Sequence, residues 1–184
     1  MGFYIIVRGP LGIGKSTVAE RLAKEISGEL ISIDQILEEH DLWESGRASE
    51  FLRANKIAAS RAERSLAKGT PVILDGNFYW RSVIEDLIRR LGDRHYVFTL
   101  QAPLAVCIER DSRRTHPYGS RATRAVYAKS TRFEHGIGVD ATGSLEHVLR
   151  QIRRHLPRAR ARRPRSKAMS TGRREIQLPR RRGG

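Results

Sequence analysis

Gly9-Pro-Leu-Gly-Ile-Gly14-Lys15-Ser16 packs three glycines, one lysine and one hydroxyl into a single turn-forming stretch. These residue types suit phosphate binding. Glycines let backbone N–H groups turn inward around phosphate oxygens. A helix opening near Lys15 aims the positive end of its dipole at the same place. Lys15 can reach the β- and γ-phosphates of a nucleotide, and the Ser16 hydroxyl suits Mg²⁺. The spacing is that of the Walker A pattern. Gly9, Pro10, Leu11, Gly12, Ile13, Gly14, Lys15, Ser16 and Thr17 are therefore expected to bind ATP, with Ser16 at the metal.

Phosphoryl transfer needs a carboxylate for the metal and often another to accept the substrate's hydroxyl proton. Asp34 follows Leu30-Ile-Ser-Ile33, and Asp75 follows Val72-Ile-Leu74. Both stand at the ends of predicted strands, where ligands bind in open α/β sheets. Asp34 reads as the substrate-binding group and general base. Its bland alternative is an N-cap for a helix over Gln35–His40. Asp75 reads as a Walker B acid serving the metal, or else as the turn residue of Asp75-Gly-Asn77. Spacing alone leaves these two roles exchangeable.

Arg110, Arg113 and Arg114 come next, then Arg121, Arg124 and Arg132. Arginine forks stabilise the charge spread over a transferring phosphoryl group. Arg110 and Arg114 are spaced to share a helix face. Arg114 is expected at the transferring group and Arg110 on the nucleotide, although the helix dipole alone also favours such residues. His116 and Tyr118 read as surface residues.

The elements that would position these groups alternate. Residues 3–8 form an apolar run suited to a buried parallel strand. Val18, Leu22 and Ile26 recur at helical spacing after the glycine loop. Further strands are expected at 30–33, 71–74, 95–100 and 137–140. Helices are expected at 35–40, 48–68, 82–91, 103–114, 122–133 and 145–152, with Pro103 in the first turn of its helix. Strand–helix alternation of this kind indicates a parallel sheet covered on both faces.

The chain has 184 residues and a net charge of +15. Its charge is uneven. Residues 157–184 hold ten arginines, Lys167 and one acid, Glu175, which places +10 in the tail and +5 in residues 1–156. That tail is poor in apolar residues and is expected to be disordered when free. It has no aromatic residue, so it offers phosphate-backbone contact without base stacking. RNA and DNA are the partners it suits, and a solvated, non-specific tail is the alternative. The single cysteine, Cys107, lies in the apolar run Leu104–Ile108 and reads as core packing. No stretch reaches the ~18 apolar residues of a membrane helix. A cytoplasmic protein without membrane contact is expected.

Residues 3–156 resemble the nucleoside monophosphate kinase and shikimate kinase class of P-loop kinases. Within it they are most similar to the small ATP-dependent kinases that include polynucleotide kinase, chloramphenicol phosphotransferase, gluconate kinase and adenylylsulfate kinase. The resemblance implies a three-layer α/β/α fold with a five-stranded parallel sheet in order 2-3-1-4-5. It implies a lid near Arg113–Arg124 and places Asp140-Ala-Thr-Gly143 near the adenine. In those kinases an aspartate after strand two contacts the acceptor, and Asp34 occupies that place. The chain also departs from its models. Asp75-Gly-Asn-Phe-Tyr-Trp-Arg81 replaces the Asp-Gly-Phe-Pro-Arg of nucleoside monophosphate kinases. The glycine run of shikimate kinases is missing after strand three. Arg110-Asp111 echoes adenylylsulfate kinases, whose following Lys-Gly-Leu-Tyr is not reproduced. The expected activity is transfer of the γ-phosphoryl of ATP, with Mg²⁺, to a hydroxyl of a small molecule. A nucleic-acid 5′-hydroxyl acceptor is the first alternative. A nucleic-acid-binding switch with slow ATPase activity is the second.

Overall fold

Tyr4, Ile5, Ile6 and Val7 are all buried, so the first strand faces apolar side chains on both sides. Tyr4 and Ile6 join one core, while Ile5 and Val7 join another. This is the period-two signature of a central strand in a covered parallel sheet. The structure is a computed structural model that describes residues 2–43, 46–92 and 94–157. The expected disorder of the basic tail falls on residues that, from 158 onward, lie outside those described.

The strands are β1 (Tyr4–Arg8), β2 (Glu29–Ser32), β3 (Val72–Asp75), β4 (His95–Gln101) and β5 (Ile137–Asp140). All pair in parallel, in the order β2-β3-β1-β4-β5. The helices are α1 (Lys15–Ile26), α2 (Ile33–Glu39), α3 (Ala48–Ala67), α4 (Arg81–Leu91), α5 (Leu104–Ser112), α6 (Ser120–Ser130) and α7 (Leu145–Arg153). Val18 and Leu22 of α1, Cys107 of α5 and Val148, Leu149 and Ile152 of α7 cover one face. Ile36 of α2, Phe51 and Ala58 of α3 and Val83 and Leu87 of α4 cover the other. Small side chains at Ala54, Ala58 and Ala62 let α3 lie close to its neighbours. The fold is thus the three-layer α/β/α arrangement. Among the described residues, no helix is long and apolar enough to cross a membrane.

Three local expectations need correction. Asp34 does not cap α2. Strand β2 stops at Ser32, whose side chain accepts from Gln35 N at 3.2 Å, and Ile33 turns into the core as the first helical residue. Pro103 is the N-cap of α5 rather than a first-turn residue. Helix α5 ends at Ser112, so Arg114 lies beyond it and shares no helix face with Arg110.

Candidate active site

The glycine loop joins central strand β1 to α1 at the C-terminal edge of the sheet. Gly14 caps α1 with no side-chain hydrogen bond, and no acid lies in the first turn. The first-turn N–H groups thus lack a side-chain partner, and the helix dipole meets no carboxylate there. Gly12 has φ +81°, and a Cβ there would lie 2.2 Å from the Cys107 carbonyl oxygen. Helix α5 therefore backs the loop directly. Gly12→Ala is expected to cost at least about 2 kcal/mol, from positive-φ strain plus overpacking. Urea unfolding checks this, and wild-type stability would mean the loop does not rest on α5.

Lys15 is 8% exposed, and its Nζ donates to the Pro10 carbonyl at 3.1 Å. Burial pushes its ammonium below the usual lysine range, while the Asp75 and Asp34 carboxylates pull the other way. Asp75 is 5% exposed. Burial raises its carboxyl above the ordinary range, opposed by Lys15 and the Ser16 hydroxyl. Its Oδ1 has no hydrogen-bond partner among the described residues.

Asp34 is held on both oxygens by one residue. Asn77 N donates to Oδ1 at 3.1 Å, and Asn77 Nδ2 donates to Oδ2 at 2.8 Å. Burial raises this carboxyl too, against the pull of Lys15 and the Asn77 N–H. One buried ammonium thus feels the charge of two largely buried carboxyls, each with a raised proton affinity. Such a cluster suits proton acceptance and charge stabilisation. Tyr79 borders it. Burial and the Asp34 charge both push its phenol well above the usual tyrosine range. Its ring packs on Phe51 and Trp80, with the Lys129 ammonium 5.4 Å from its centroid.

The arginines divide. Arg114 is felt electrostatically by Lys15. Its Nε lies 3.6 Å from the buried Asp111 carboxylate, and its guanidinium lies 5.6 Å from the Tyr118 ring centre. Asp111 Oδ2 also accepts from Gly119 N at 2.9 Å, which closes the 113–119 connection onto α5. Arg110 is committed to backbone. It donates to the carbonyls of Ile13 at 3.3 Å, Ala141 at 2.7 Å, and Thr142 and Gly143 at 3.1 Å each. It pins the loop after β5 to the phosphate loop, a reach that sequence spacing does not reveal. Cys107 is buried, and burial pushes its thiol up, as a core role requires.

Several contributors escaped the sequence reading. Asn77 looked like the third residue of a turn. Arg8 sat unremarked at the end of an apolar run, yet it is fully buried. It donates to Ser130 O at 2.6 Å, Phe133 O at 3.2 Å and Thr99 Oγ1 at 3.2 Å. Burial, with Arg81 nearby, pushes its guanidinium down to about 10. The signal available was a charge directly before Gly9, in a strand with no room for solvent. Beside the loop, a cleft of about 520 Å³ lies among Gly9, Pro10, Tyr127, Thr131, Asp140 and Thr142.

The residues present fit a nucleotide and its metal. An uncapped helix start, a buried lysine and a glycine whose added Cβ would meet nothing at position 14 suit a phosphate chain. Ser16 beside the unpartnered oxygen of Asp75 offers the oxygen donors that Mg²⁺ prefers. No group of three or more His, Cys, Asp or Glu among the described residues would hold a metal unaided. Substrate phosphates would then complete its shell.

A family model described as an AAA domain matches residues 5–134. Comparison with curated proteins gives no match. Among solved structures, the chain is similar to a gluconokinase from Sinorhizobium meliloti 1021. Identity is 22%, TM-score 0.66, and coverage 82% of this chain and 90% of that one. It is also similar to a sugar kinase from Janibacter sp. HTCC2649. There identity is 19%, TM-score 0.66, and coverage 83% and 92%.

Proposed function

Since the chain belongs to the AAA domain family, we propose that it is an ATP-dependent kinase transferring the γ-phosphoryl group to a hydroxyl of a small molecule. The carrying observation is Asp34 gripped on both oxygens by Asn77 beside the glycine loop, with the buried Lys15 ammonium coupled to the charges of Asp34 and Asp75. Nucleotide phosphates lie on residues 9–17. Lys15 offsets their charge. Mg²⁺, when bound at Ser16 and Asp75, draws electron density from the phosphate oxygens. Arg110 acts as a positioning residue, holding residues 141–143 where the nucleoside end lies. Arg114 stabilises the transferring group.

The acceptor hydroxyl approaches Asp34. As its oxygen bonds to the γ-phosphorus, the bond to the β–γ bridging oxygen breaks, and ADP leaves with that electron pair. Asp34 takes the hydroxyl proton. Asn77 fixes the carboxylate so that an oxygen faces the acceptor, and Tyr79 and Trp80 wall that side. Likeness to a gluconokinase and a sugar kinase makes sugars and sugar acids the first acceptors to try.

The test is an acceptor screen with γ-labelled ATP and Mg²⁺ on the full chain. Its panel holds sugars, sugar acids, nucleosides, nucleoside monophosphates, shikimate, adenylylsulfate and 5′-hydroxyl RNA and DNA. Label on a small molecule is the expected result. The charge of residues 157–184 favours one second reading, in which label appears on a nucleic-acid end. Free phosphate alone, whatever is added, would replace the kinase with a slow ATPase.

A further inference from the structure

Several surface arginines of this fold are paired with acids. Arg21 and Arg153 pair with Glu25, Arg153 also with Glu146, Arg113 with Glu109, and Arg89 and Arg90 with Asp86. On one flank, cations unpaired among the described residues gather around a groove. A groove of about 760 Å³ between the end of α2 and the outer face of α3 is lined by His40, Arg53, Lys56, Arg61 and Arg64, with Leu42 and Ile57 beneath. Glu39 meets Arg61 at 3.1 Å, and the Arg64 guanidinium also turns to a backbone carbonyl, that of Ser60 at 3.1 Å. Arg53, Lys56 and Arg64 form no ion pair among the described residues. Arg53, Lys56, Ser60 and Arg64 follow helical spacing, so the three unpaired cations lie in one stripe along α3.

We propose that this groove binds the phosphate backbone of a nucleic acid duplex, independently of the kinase chemistry. Its geometry and its chemistry both fit. From Arg53 to Arg64 the helix advances about 16 Å, at ~1.5 Å per residue. One strand of a duplex presents a phosphate about every 3.4 Å, so about five phosphates run alongside. The lining holds no Phe, Tyr or Trp. The contact is therefore with backbone, without base stacking or sequence preference. An acidic protein partner would call for an aromatic anchor at the centre. A membrane surface would call for a projecting basic face with apolar side chains to insert, whereas Leu42 is buried. The +10 charge of residues 157–184 adds to the same attraction.

The experiment is fluorescence anisotropy with a labelled 20-base-pair duplex across a salt series, using the full chain. Arg53→Gln, Lys56→Gln and Arg64→Gln together form the groove variant. Arg21→Gln, Lys24→Gln and Arg150→Gln, on α1 and α7, form a control with the same charge loss. Thermal melting confirms that both are folded. The groove variant is expected to bind about tenfold or more weaker, with a salt slope shallower by about three. The control is expected to stay near wild type. Equal losses in the two variants would mean diffuse charge and overturn the site. Wild-type binding by the groove variant, or no duplex binding by the wild type, would overturn it as well. So would loss of binding to anionic vesicles, with duplex binding unchanged.

Discussion

Lys15→Ala is expected to lower kcat by about a thousandfold, the scale of removing a buried electrostatic contact to a transferring group. The loss has two sources. The phosphates lose their lysine, and the cluster loses its only buried cation. Asp34 and Asp75 both have carboxyls raised by burial and held down in part by Lys15. Without it they move further up, and the acid limb of any residual activity shifts to higher pH. Binding should register the change too. A ligand present at 100 times its Kd stabilises a protein by about 2.7 kcal/mol. In the variant, that ATP-dependent rise in melting temperature should shrink or vanish. A variant with full kcat would remove the glycine loop from the chemistry.

Asp34→Asn separates binding from transfer. ATP-dependent stabilisation should persist while kcat falls by about 10²- to 10⁴-fold, the range for a positioned general base. Local geometry tolerates the change. Asn77 Oδ1 has no partner among the described residues, so a flipped amide can accept from the new side chain. The pH dependence carries the sign. In the unfolded chain the Asp34 carboxyl ionises in its ordinary range, while in the folded protein burial raises it. Ionisation therefore costs the folded state more. That cost is absent below the ordinary range and grows as pH rises through the raised value. Asp34→Asn should be more stable than wild type near neutrality and lose the advantage at acid pH. Urea midpoints across pH measure this. Near-normal transfer in the variant would shift the base role to another group.

The parts of this site that were legible in the sequence are those fixed by short-range spacing. The loop from Gly9 to Ser16 declares itself because its geometry uses consecutive backbone groups. The central strands β1, β3 and β4 were visible because buried parallel strands read as apolar runs, while the half-exposed edge strands β2 and β5 show shorter ones. Ile33 misled at a boundary, since an apolar β-branched residue fits a strand end and a core-facing first helical turn equally well. What stayed hidden depends on long-range contact. Asn77 meets Asp34 only because β2 and β3 are neighbours, with Ser32 beside Asp75. Arg110 spends its donors on backbone carbonyls, which carry no side-chain signature. Arg8 is explained only by the carbonyls that α6 and its exit bring to it.

The strand order also has a consequence for the newly made chain. Strand β1 leaves the ribosome well before its partners, since Tyr4 pairs with Val72 on one side and His95 on the other. No adjacent pair in this sheet is a hairpin, so β1 has no local partner. At about 5–20 residues per second, it stays unpaired for several seconds of synthesis. Through that interval the apolar Tyr-Ile-Ile-Val run is exposed, and the phosphate loop at its end has nothing to hold it. Arrest of translation before β4 should yield a chain that sticks to others and binds no nucleotide. Activity therefore waits on segments made long after the glycine loop that marks it.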